Sequence, residues 1–191
     1  MKSFAVLAAL SIMAVTPSLK AANPVVVIDT SMGSIKVELY EDKAPITVKN
    51  FLSYVDKNHY EGLVFHRVRA DFMIQGGGFD KDQKERKTEP PIKNEAGNGL
   101  KNEKGTLAMA RTRIADSATS QFFINVKYND FLDRANSQDN VGYCVFGRVT
   151  DGMDVVEKIR GIKTGAKGNF DEDCPEEDVV IKSIKRVESP K

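Results

Sequence analysis

Apolar and polar residues alternate along most of this chain, and a period of two predicts short β-strands. The first two predicted strands, over 25–28 and 35–39, flank turn residues at 31–34 and form an opening hairpin. Six further strands are predicted at 63–68, 72–75, 106–111, 121–126, 143–149 and 179–187. Polar or glycine-containing segments separate them, which favours antiparallel pairing of neighbouring strands.

Two segments have the spacing of amphipathic helices. Pro45 occupies a first-turn position of the first helix. Four apolar residues follow it at helical spacing: Val48, Phe51, Leu52 and Val55. A shorter helix is predicted over 151–160.

Many short strands and two well-separated helices predict a mainly β fold. The pattern fits either an antiparallel barrel or a sandwich, plugged by the helices. The 191 residues and 41% hydrophobic content suit one domain with a proper core. The sequence contains no internal repeat and no linker.

The N-terminus has the pattern of an export signal. Lys2 precedes a mostly apolar run over 4–15, and the small residues Ala21 and Ala22 follow. Because this run is too short to span a bilayer, residues 1–21 are predicted to be a signal peptide cleaved after Ala21 or Ala22, and 22–191 a single domain. The alternative is a membrane anchor that stays attached. Cleavage predicts a periplasmic or secreted protein with no stable membrane insertion.

The charge balance excludes several classes of partner. The chain has 28 Lys and Arg against 27 Asp and Glu. Loss of residues 1–21 removes Lys2 and Lys20 and no acid, which leaves 26 against 27. This balance gives no electrostatic basis for binding nucleic acid or an anionic membrane.

The two cysteines have no metal-site spacing. Cys144 alternates with Phe146 in a predicted strand and is expected to point inward, whereas Cys174 lies in an acidic loop. In an oxidising compartment a disulfide between them is an alternative to two free thiols.

The stretch 65–78, FHRVRADFMIQGGG, carries the main candidate chemistry. It places one permanent cation, Arg67, within an apolar run. The alternative is a surface arginine on a hairpin. A site is favoured because Gln121 and Phe123 offer an amide beside an exposed ring, and 131–132 adds another apolar pair. A cation beside an apolar patch suits a groove that holds an apolar group and hydrogen-bonds a polar neighbour.

Other motifs do not predict a phosphate, metal or nucleophile site. The glycines at 76–78 lack the lysine and the helix of a phosphate loop. His59 and His66 fit no usual metal spacing, and a hydrogen-bonded structural role for His66 is favoured over a general base. The acidic run 171–173 lacks the periodicity of a calcium loop and predicts a hydrated turn. The sequence therefore predicts no metal and no cofactor, and a groove without the groups for hydrolysis or redox chemistry.

Five ordered segments resemble the cyclophilin-type peptidyl-prolyl cis-trans isomerases, and most of all the exported bacterial branch. They are FHRVRADFMIQGGG, GTLAMAR, SQFFINV, DFLD and YCVFGRV, and the resemblance covers about 25–187. It implies a mainly β fold, an eight-stranded antiparallel closed barrel capped by two α-helices. It also implies that the partners are proline-containing polypeptides, namely unfolded or folding exported proteins, and that the protein is a monomer.

Carried over by motif, the resemblance implies that Arg67 is the catalytic residue. Four apolar side chains would form the proline pocket: Phe72, Met73, Phe123 and Leu132. Four residues would line the peptide groove and contact the backbone on either side of the proline: Gln75, Ala110, Arg111 and Gln121.

Three positions depart from the commonest family pattern. Phe131 stands where many members have tryptophan, and Tyr143 where they have histidine; both suit an aromatic pocket wall. Without the indole N–H, weak cyclosporin binding is expected. Arg111 replaces a common asparagine, which would change the preference beside the proline. The loop 133–140 is longer than in compact members.

An isomerase of X-Pro bonds needs only this sparse equipment. Amide resonance sets a barrier of about 20 kcal/mol, and a guanidinium can donate to the prolyl nitrogen once twisting localises its lone pair. The first hypothesis is a periplasmic foldase for exported proteins. The alternative is a non-catalytic proline-peptide-binding chaperone, or holdase. A secreted adhesin or inhibitor would leave Arg67, Gln75 and Phe123 unexplained.

Overall fold

The computed structural model describes residues 22–187, in which ten strands and two α-helices are joined by loops that include two short 3-10 helices, Ala96–Asn98 and Asp130–Leu132. The strands and α-helices are numbered separately. In chain order they are β1 Val25–Thr30, β2 Gly33–Leu39, α1 Pro45–Asp56, β3 Arg67–Arg69, β4 Met73–Gly76, β5 Thr106–Met109, β6 Phe122–Asn125, β7 Val145–Asp151, α2 Met153–Arg160, β8 Thr164–Lys167, β9 Phe170–Pro175 and β10 Ile181–Arg186. The predictions of the opening hairpin and of both helices are confirmed.

Eight strands form one antiparallel sheet that is open, so the predicted closed barrel is wrong. The order of strands is β10-β1-β2-β7-β5-β6-β4-β3. The edge strands β3 and β10 form no ladder with each other within residues 22–187. The segments beside them meet in an isolated antiparallel bridge between Val64 and Val180.

The hairpin β8–β9 forms a separate two-stranded sheet beside the short edge strand β3. Strand β3 contributes only three residues, and β9 packs beside it. The sequence pattern did not predict this hairpin. The run 171–173, expected to be a hydrated turn, lies within β9 instead. The ring of Phe170 anchors the hairpin, with its centroid 5.2 Å from Phe79 and 5.6 Å from His66.

The core lies between the inner face of the sheet and the helices. β1 and β2 bury alternate residues, as the period of two predicts. Phe51 on α1 packs its ring 5.6 Å from Phe122 and 5.2 Å from Phe146, measured between centroids. On α2, Val156 and Ile159 are fully buried. Aromatic burial of this kind is a large part of the free energy that holds such a fold together.

A carboxylate from a distant loop caps the N-terminus of α1. Glu95 accepts hydrogen bonds from the backbone N–H groups of Ile46 and Thr47 at 3.2 and 2.8 Å, and from Thr47 Oγ1 at 2.7 Å. The helix has no capping side chain of its own at Ala44. Glu95 therefore satisfies N–H groups that the first turn leaves without partners and interacts favourably with the helix dipole.

A second apolar cluster covers the outer face of the sheet. This outer cluster consists of Met73, Ala108, Phe123, Leu132 and Val145. Every residue of β5 and β6 is buried, so these strands are covered on both faces. The expectation of an exposed ring at Phe123 is therefore wrong, because only 4% of that residue is accessible.

Both cysteines are free thiols, and both are buried. Cys144 points inward as expected, with its sulfur 3.5 Å from Thr47 Oγ1, and burial raises its pKa to about 11. Cys174 lies in β9, and burial also raises its pKa. The disulfide alternative is therefore wrong for this structure.

The predicted signal peptide, residues 1–21, lies outside the described residues. Within 22–187, no helix has the length and apolar character needed to cross a membrane.

Candidate active site

Strand register places the central predicted site residues in one row across the outer face of the sheet. Arg67 on β3 pairs with Gln75 on β4, and Gln75 pairs with Phe123 on β6. Phe123 in turn pairs with Ala108 on β5. Because paired residues in antiparallel strands project to the same face, a cation, an amide and an aromatic ring lie side by side.

The outer cluster forms an apolar floor next to this row. Met73, Phe123 and Leu132 belong to the cluster, and Phe72, Ala110 and Tyr143 are partly buried against it. Phe131 extends the floor as a wall, since its ring centroid lies 5.5 Å from that of Phe72 and half of the residue is exposed. The four residues predicted to form the proline pocket are thus neighbours.

Arg67 stands at the rim of this floor. Its side chain is 40% exposed, and its guanidinium carbon lies 6.0 Å from the centroid of the Phe72 ring. Its Nε donates to Asp173 Oδ2 at 3.3 Å. A guanidinium held through Nε keeps its terminal amino groups available as donors toward a ligand.

The amides of Gln75 and Gln121 form one polar edge of the groove. Gln75 Nε2 donates to Gln121 Oε1 at 2.9 Å, and the backbone N–H of Ala110 donates to the carbonyl of Gln121 at 3.0 Å. Gly78 makes room for this pair, because a Cβ at that position would lie 2.6 Å from the Gln121 side chain. Gly78, the last of the three glycines, therefore allows the side chain of Gln121 to pack closely against the backbone.

Arg111 lies at the site, but its guanidinium is engaged within the protein. Its Nε donates to the carbonyl of Gly142, one terminal amino group to the carbonyl of Thr112, and the other to the carboxylate of Asp139. Its guanidinium carbon also lies 4.3 Å from the centroid of the Tyr143 ring, and its side chain is only 3% exposed. The expected contact of Arg111 with a peptide backbone would require this buried side chain to become accessible.

Asp139 ties the loop 133–140 to this arginine. The backbone N–H of Val141 and the guanidinium of Arg111 hold the pKa of Asp139 well below its usual range. The loop borders a groove of about 790 Å³ whose other walls include Phe131, Leu132 and Tyr143. The longer loop, to which the sequence assigned no role, therefore lines the site.

Buried amides support the floor from below. Asn129 Nδ2 donates to the carbonyl of Phe72 at 2.9 Å and to Asn125 Oδ1 at 2.7 Å. Asp133 accepts from the backbone N–H and the side-chain amide of Asn102. Such a buried network fixes the positions of Phe72 and of the segment that carries Leu132.

His66 packs behind Arg67 and is a structural residue. It is 5% exposed and packs against the rings of Phe79 and Phe170, at centroid distances of 4.8 and 5.6 Å. The expectation of a hydrogen-bonded histidine holds only in part, because Nδ1 has no hydrogen-bond partner in residues 22–187. Burial lowers the pKa of His66 to about 4, so the ring is neutral at pH 7.

The structure adds a site residue that sequence reasoning missed. Asp173 contacts Arg67 although 106 residues separate them along the chain. Its only sequence signal was an acidic run, which by itself favours a hydrated turn. Among residues 22–187, no group of histidine, cysteine or carboxylate side chains is arranged to hold a metal ion.

Comparisons with known proteins agree on one family. The family described as "Cyclophilin type peptidyl-prolyl cis-trans isomerase/CLD" matches residues 25–186. The chain is 56% identical over 156 residues to peptidyl-prolyl cis-trans isomerase B of Escherichia coli, covering 81% of this chain and 94% of that protein. It is 48% identical over 182 residues to peptidyl-prolyl cis-trans isomerase A of Dickeya dadantii, covering 95% of this chain and 94% of the relative.

A solved structure supports the same relationship at the level of the fold. The crystal structure of a cyclophilin type peptidyl-prolyl cis-trans isomerase of Cryptosporidium parvum superposes with a TM-score of 0.70 at 25% sequence identity. The match covers 88% of this chain and 99% of that chain.

Proposed function

Because the chain belongs to the cyclophilin-type peptidyl-prolyl cis-trans isomerases, we propose that it catalyses X-Pro isomerisation by using Arg67 to stabilise a twisted prolyl amide. The isomerase activity itself follows from the family and from identity above 50% to peptidyl-prolyl isomerases over most of the chain. The identity of the residue that supplies the transition-state contact, and the setting in which the enzyme works, are the proposal.

The chemistry requires stabilisation of a geometry and no covalent intermediate. Rotation about the X-Pro bond passes through a twisted amide whose nitrogen is pyramidal, with a localised lone pair. A hydrogen-bond donor to that nitrogen stabilises the twisted amide more than either planar form, which lowers the barrier. A guanidinium suits this role because it presents several donors and keeps its proton at any working pH.

The observation that carries this proposal is the register of Arg67 with Gln75 and Phe123. In one row across three strands, the cation stands beside an apolar floor of the outer cluster. The floor would hold the ring, and the Gln75–Gln121 edge would hold the flanking backbone while the preceding carbonyl rotates.

The test is exchange NMR of an Ala-Pro peptide with the 22–191 protein and its Arg67→Ala variant. We expect the variant to lose about 100-fold in kcat/KM, on the order of 3 kcal/mol of transition-state stabilisation. Arg69→Ala is the matched control, because Arg69 lies two residues away, at a similar 5.9 Å from the Phe72 ring. It should stay within about threefold of the wild type.

Two results would contradict the proposal. If Arg67→Ala kept wild-type kcat/KM, the guanidinium would not be the transition-state donor. If the wild type bound the peptide and did not accelerate exchange, the holdase alternative would be favoured.

The finer setting of the activity is also proposed. The pattern of residues 1–21 supports export, cleavage after Ala21 or Ala22, and action on exported proteins during their folding in the periplasm. Mass spectrometry of the protein recovered from a periplasmic fraction should give a mature chain starting at Ala22 or Asn23. An intact N-terminus in the membrane fraction would favour the retained anchor.

A further inference from the structure

Asp173 contacts the guanidinium of Arg67 from outside the sheet. We propose that Asp173 is a positioning residue, which holds Arg67 through Nε so that its terminal amino groups remain oriented for the substrate. This inference rests on the proposed role of Arg67. It assigns to the C-terminal hairpin β8–β9 a part in catalysis that neither the motifs nor the strand pattern indicated.

The geometry favours orientation over a simple surface ion pair. Asp173 Oδ2 lies 3.3 Å from Arg67 Nε and 3.8 Å from Arg69 Nε. The two guanidinium carbons lie 6.0 and 5.9 Å from the centroid of the Phe72 ring. The carboxylate is only 21% exposed, so it is confined between two cations that stand over the same aromatic side chain.

Asp173 binds Nε of Arg67, and this leaves the terminal amino groups of the guanidinium available to a ligand. The structure gives Arg67 no hydrogen bond from its terminal amino groups to any residue in 22–187, and its Nε is taken by Asp173. Since Arg67 is 40% exposed on a three-residue edge strand, packing alone leaves its long side chain several rotamers. A partner at Nε selects among these rotamers and leaves the ligand-facing donors unoccupied.

The backbone conformation at Asp173 is unusual for a residue in a strand. Asp173 has φ of +62°, in the left-handed region that few residues other than glycine adopt. Aspartate and asparagine tolerate this region better than most side chains, at some cost in conformational energy. This geometry interrupts the regular strand at the residue whose carboxylate contacts Arg67.

The hairpin is anchored well enough to keep Asp173 in place. Phe170 packs on His66 and Phe79, as described for the fold, and Gln83 Nε2 donates to the carbonyl of Lys167 at 2.5 Å. Gln83 Oε1 also accepts from the backbone N–H of Asn169. Both ends of the hairpin turn are thus tied to Gln83, in the loop between β4 and β5.

The test compares kcat and KM of Asp173→Ala and Asp173→Asn with those of the wild type, using the same peptide exchange assay. We expect Asp173→Ala to lose about tenfold in kcat with KM within about twofold, because the donors are misoriented while the apolar floor is intact. Asp173→Asn keeps an acceptor for Nε and tolerates positive φ, so it should recover most of the loss. It also remains informative if the alanine variant folds poorly.

Matched controls separate orientation from general effects of charge. Asp71→Ala removes a carboxylate that approaches Arg69 at 4.0 Å and makes no ion pair with Arg67, and it should leave kcat unchanged. In the Arg67→Ala background, the additional change Asp173→Ala should cost no further activity, since the residue it orients is gone.

The outcomes distinguish this inference from the proposed function. If Arg67→Ala is inactive and both Asp173 variants keep wild-type kcat, the positioning role is overturned and the proposed function stands. If Asp173→Ala lowers kcat equally in the Arg67→Ala background, the effect does not pass through Arg67, and the inference also fails. If Arg67→Ala itself is fully active, it is the proposed function that fails.

Discussion

Acidification should destabilise this fold through His66, and the sign follows from its burial. The pKa of His66 falls from an ordinary 6.5 to about 4, chiefly because the ring is buried and further because Arg67 lies beside it. Between these two pH values the unfolded chain binds a proton that the folded chain does not. The free energy of unfolding therefore falls as the pH falls from 6.5 toward 4.

The size of this effect follows from the two pKa values. A histidine with pKa 6.5 in the unfolded chain and about 4 in the fold loses about 2.5 kcal/mol of stability by pH 4.5, and about 3 kcal/mol once the pH is below both values. The charged residues that line the small cavity beside the ring are Asp80, Lys81, Lys167 and Asp178. This loss is a large fraction of the free energy of unfolding of an ordinary domain.

The assay is equilibrium unfolding in urea at several pH values between 7.5 and 4.5, on the wild type and on His66→Phe. Phenylalanine keeps an aromatic ring packed against Phe79 and Phe170 but cannot bind a proton. Burial also lowers the pKa of His59 to about 4, and carboxylates titrate near the acidic end, so both proteins become less stable. The quantity to measure is the difference between the two losses, which should be about 2 kcal/mol or more at pH 4.5.

The reasoning is refuted if the wild type and His66→Phe lose the same free energy over this pH range. That result would mean that His66 binds its proton in the folded protein nearly as readily as in the unfolded chain. Its ring could then not be buried against Phe79 and Phe170 as the structure places it.

Two further substitutions test contacts that support the fold and the site. Glu95→Ala removes the remote cap of α1 and should lower the free energy of unfolding in urea by about 1–2 kcal/mol. The control Glu89→Ala loses only an exposed ion pair with Lys57 and should leave the urea midpoint unchanged. Equal midpoints for the two variants would contradict the capping role of Glu95. Arg111→Lys cannot reproduce the three hydrogen bonds to Gly142, Thr112 and Asp139, so amide hydrogen exchange in 137–142 should accelerate by about tenfold or more. Unchanged protection from exchange would show that other contacts hold this loop.

The sequence pattern predicts best the elements that bury one face. In the hairpin β1–β2 and in helix α1, one side meets the core and the other meets water, so the period of apolar residues reveals the structure. Strands β5 and β6 are covered on both faces and carry no such contrast. The pattern therefore assigned Phe123 to the correct face of its strand but predicted it to be exposed.

The hairpin β8–β9 was missed because the contacts that stabilise it join residues that are far apart in the sequence. Glycine at 165 and 168 and acids at 171–173 favour a turn in any local reading. What makes these residues a strand pair is the packing of Phe170 on two distant rings and the attraction of Asp173 to two arginines. Both interactions span about 90 residues or more of chain, which local spacing cannot register.

The site residues were found through the order of five motifs, and no local periodicity would have joined them. Arg67, Gln75 and Phe123 come from three strands and meet only because of sheet register. Arg111 shows the limit of transfer by motif. Its position beside the groove is as expected, whereas its ion pair with Asp139 depends on the loop 133–140.

The outer cluster explains how a sheet with a filled interior can still offer a rigid slot. Phe51, Phe122 and Phe146 occupy the inner side, and the outer side of the same strands is covered again, so the floor around Phe123 is packed from both directions. Isomerisation makes no covalent bond, so its rate depends on how much better the site fits a twisted amide than a planar one. A tightly packed floor keeps its shape and so preserves the difference in fit between the twisted and the planar amide. Arg67 lacks this support, because it is partly exposed on the edge strand β3, and for this reason its orientation depends on a partner from outside the sheet.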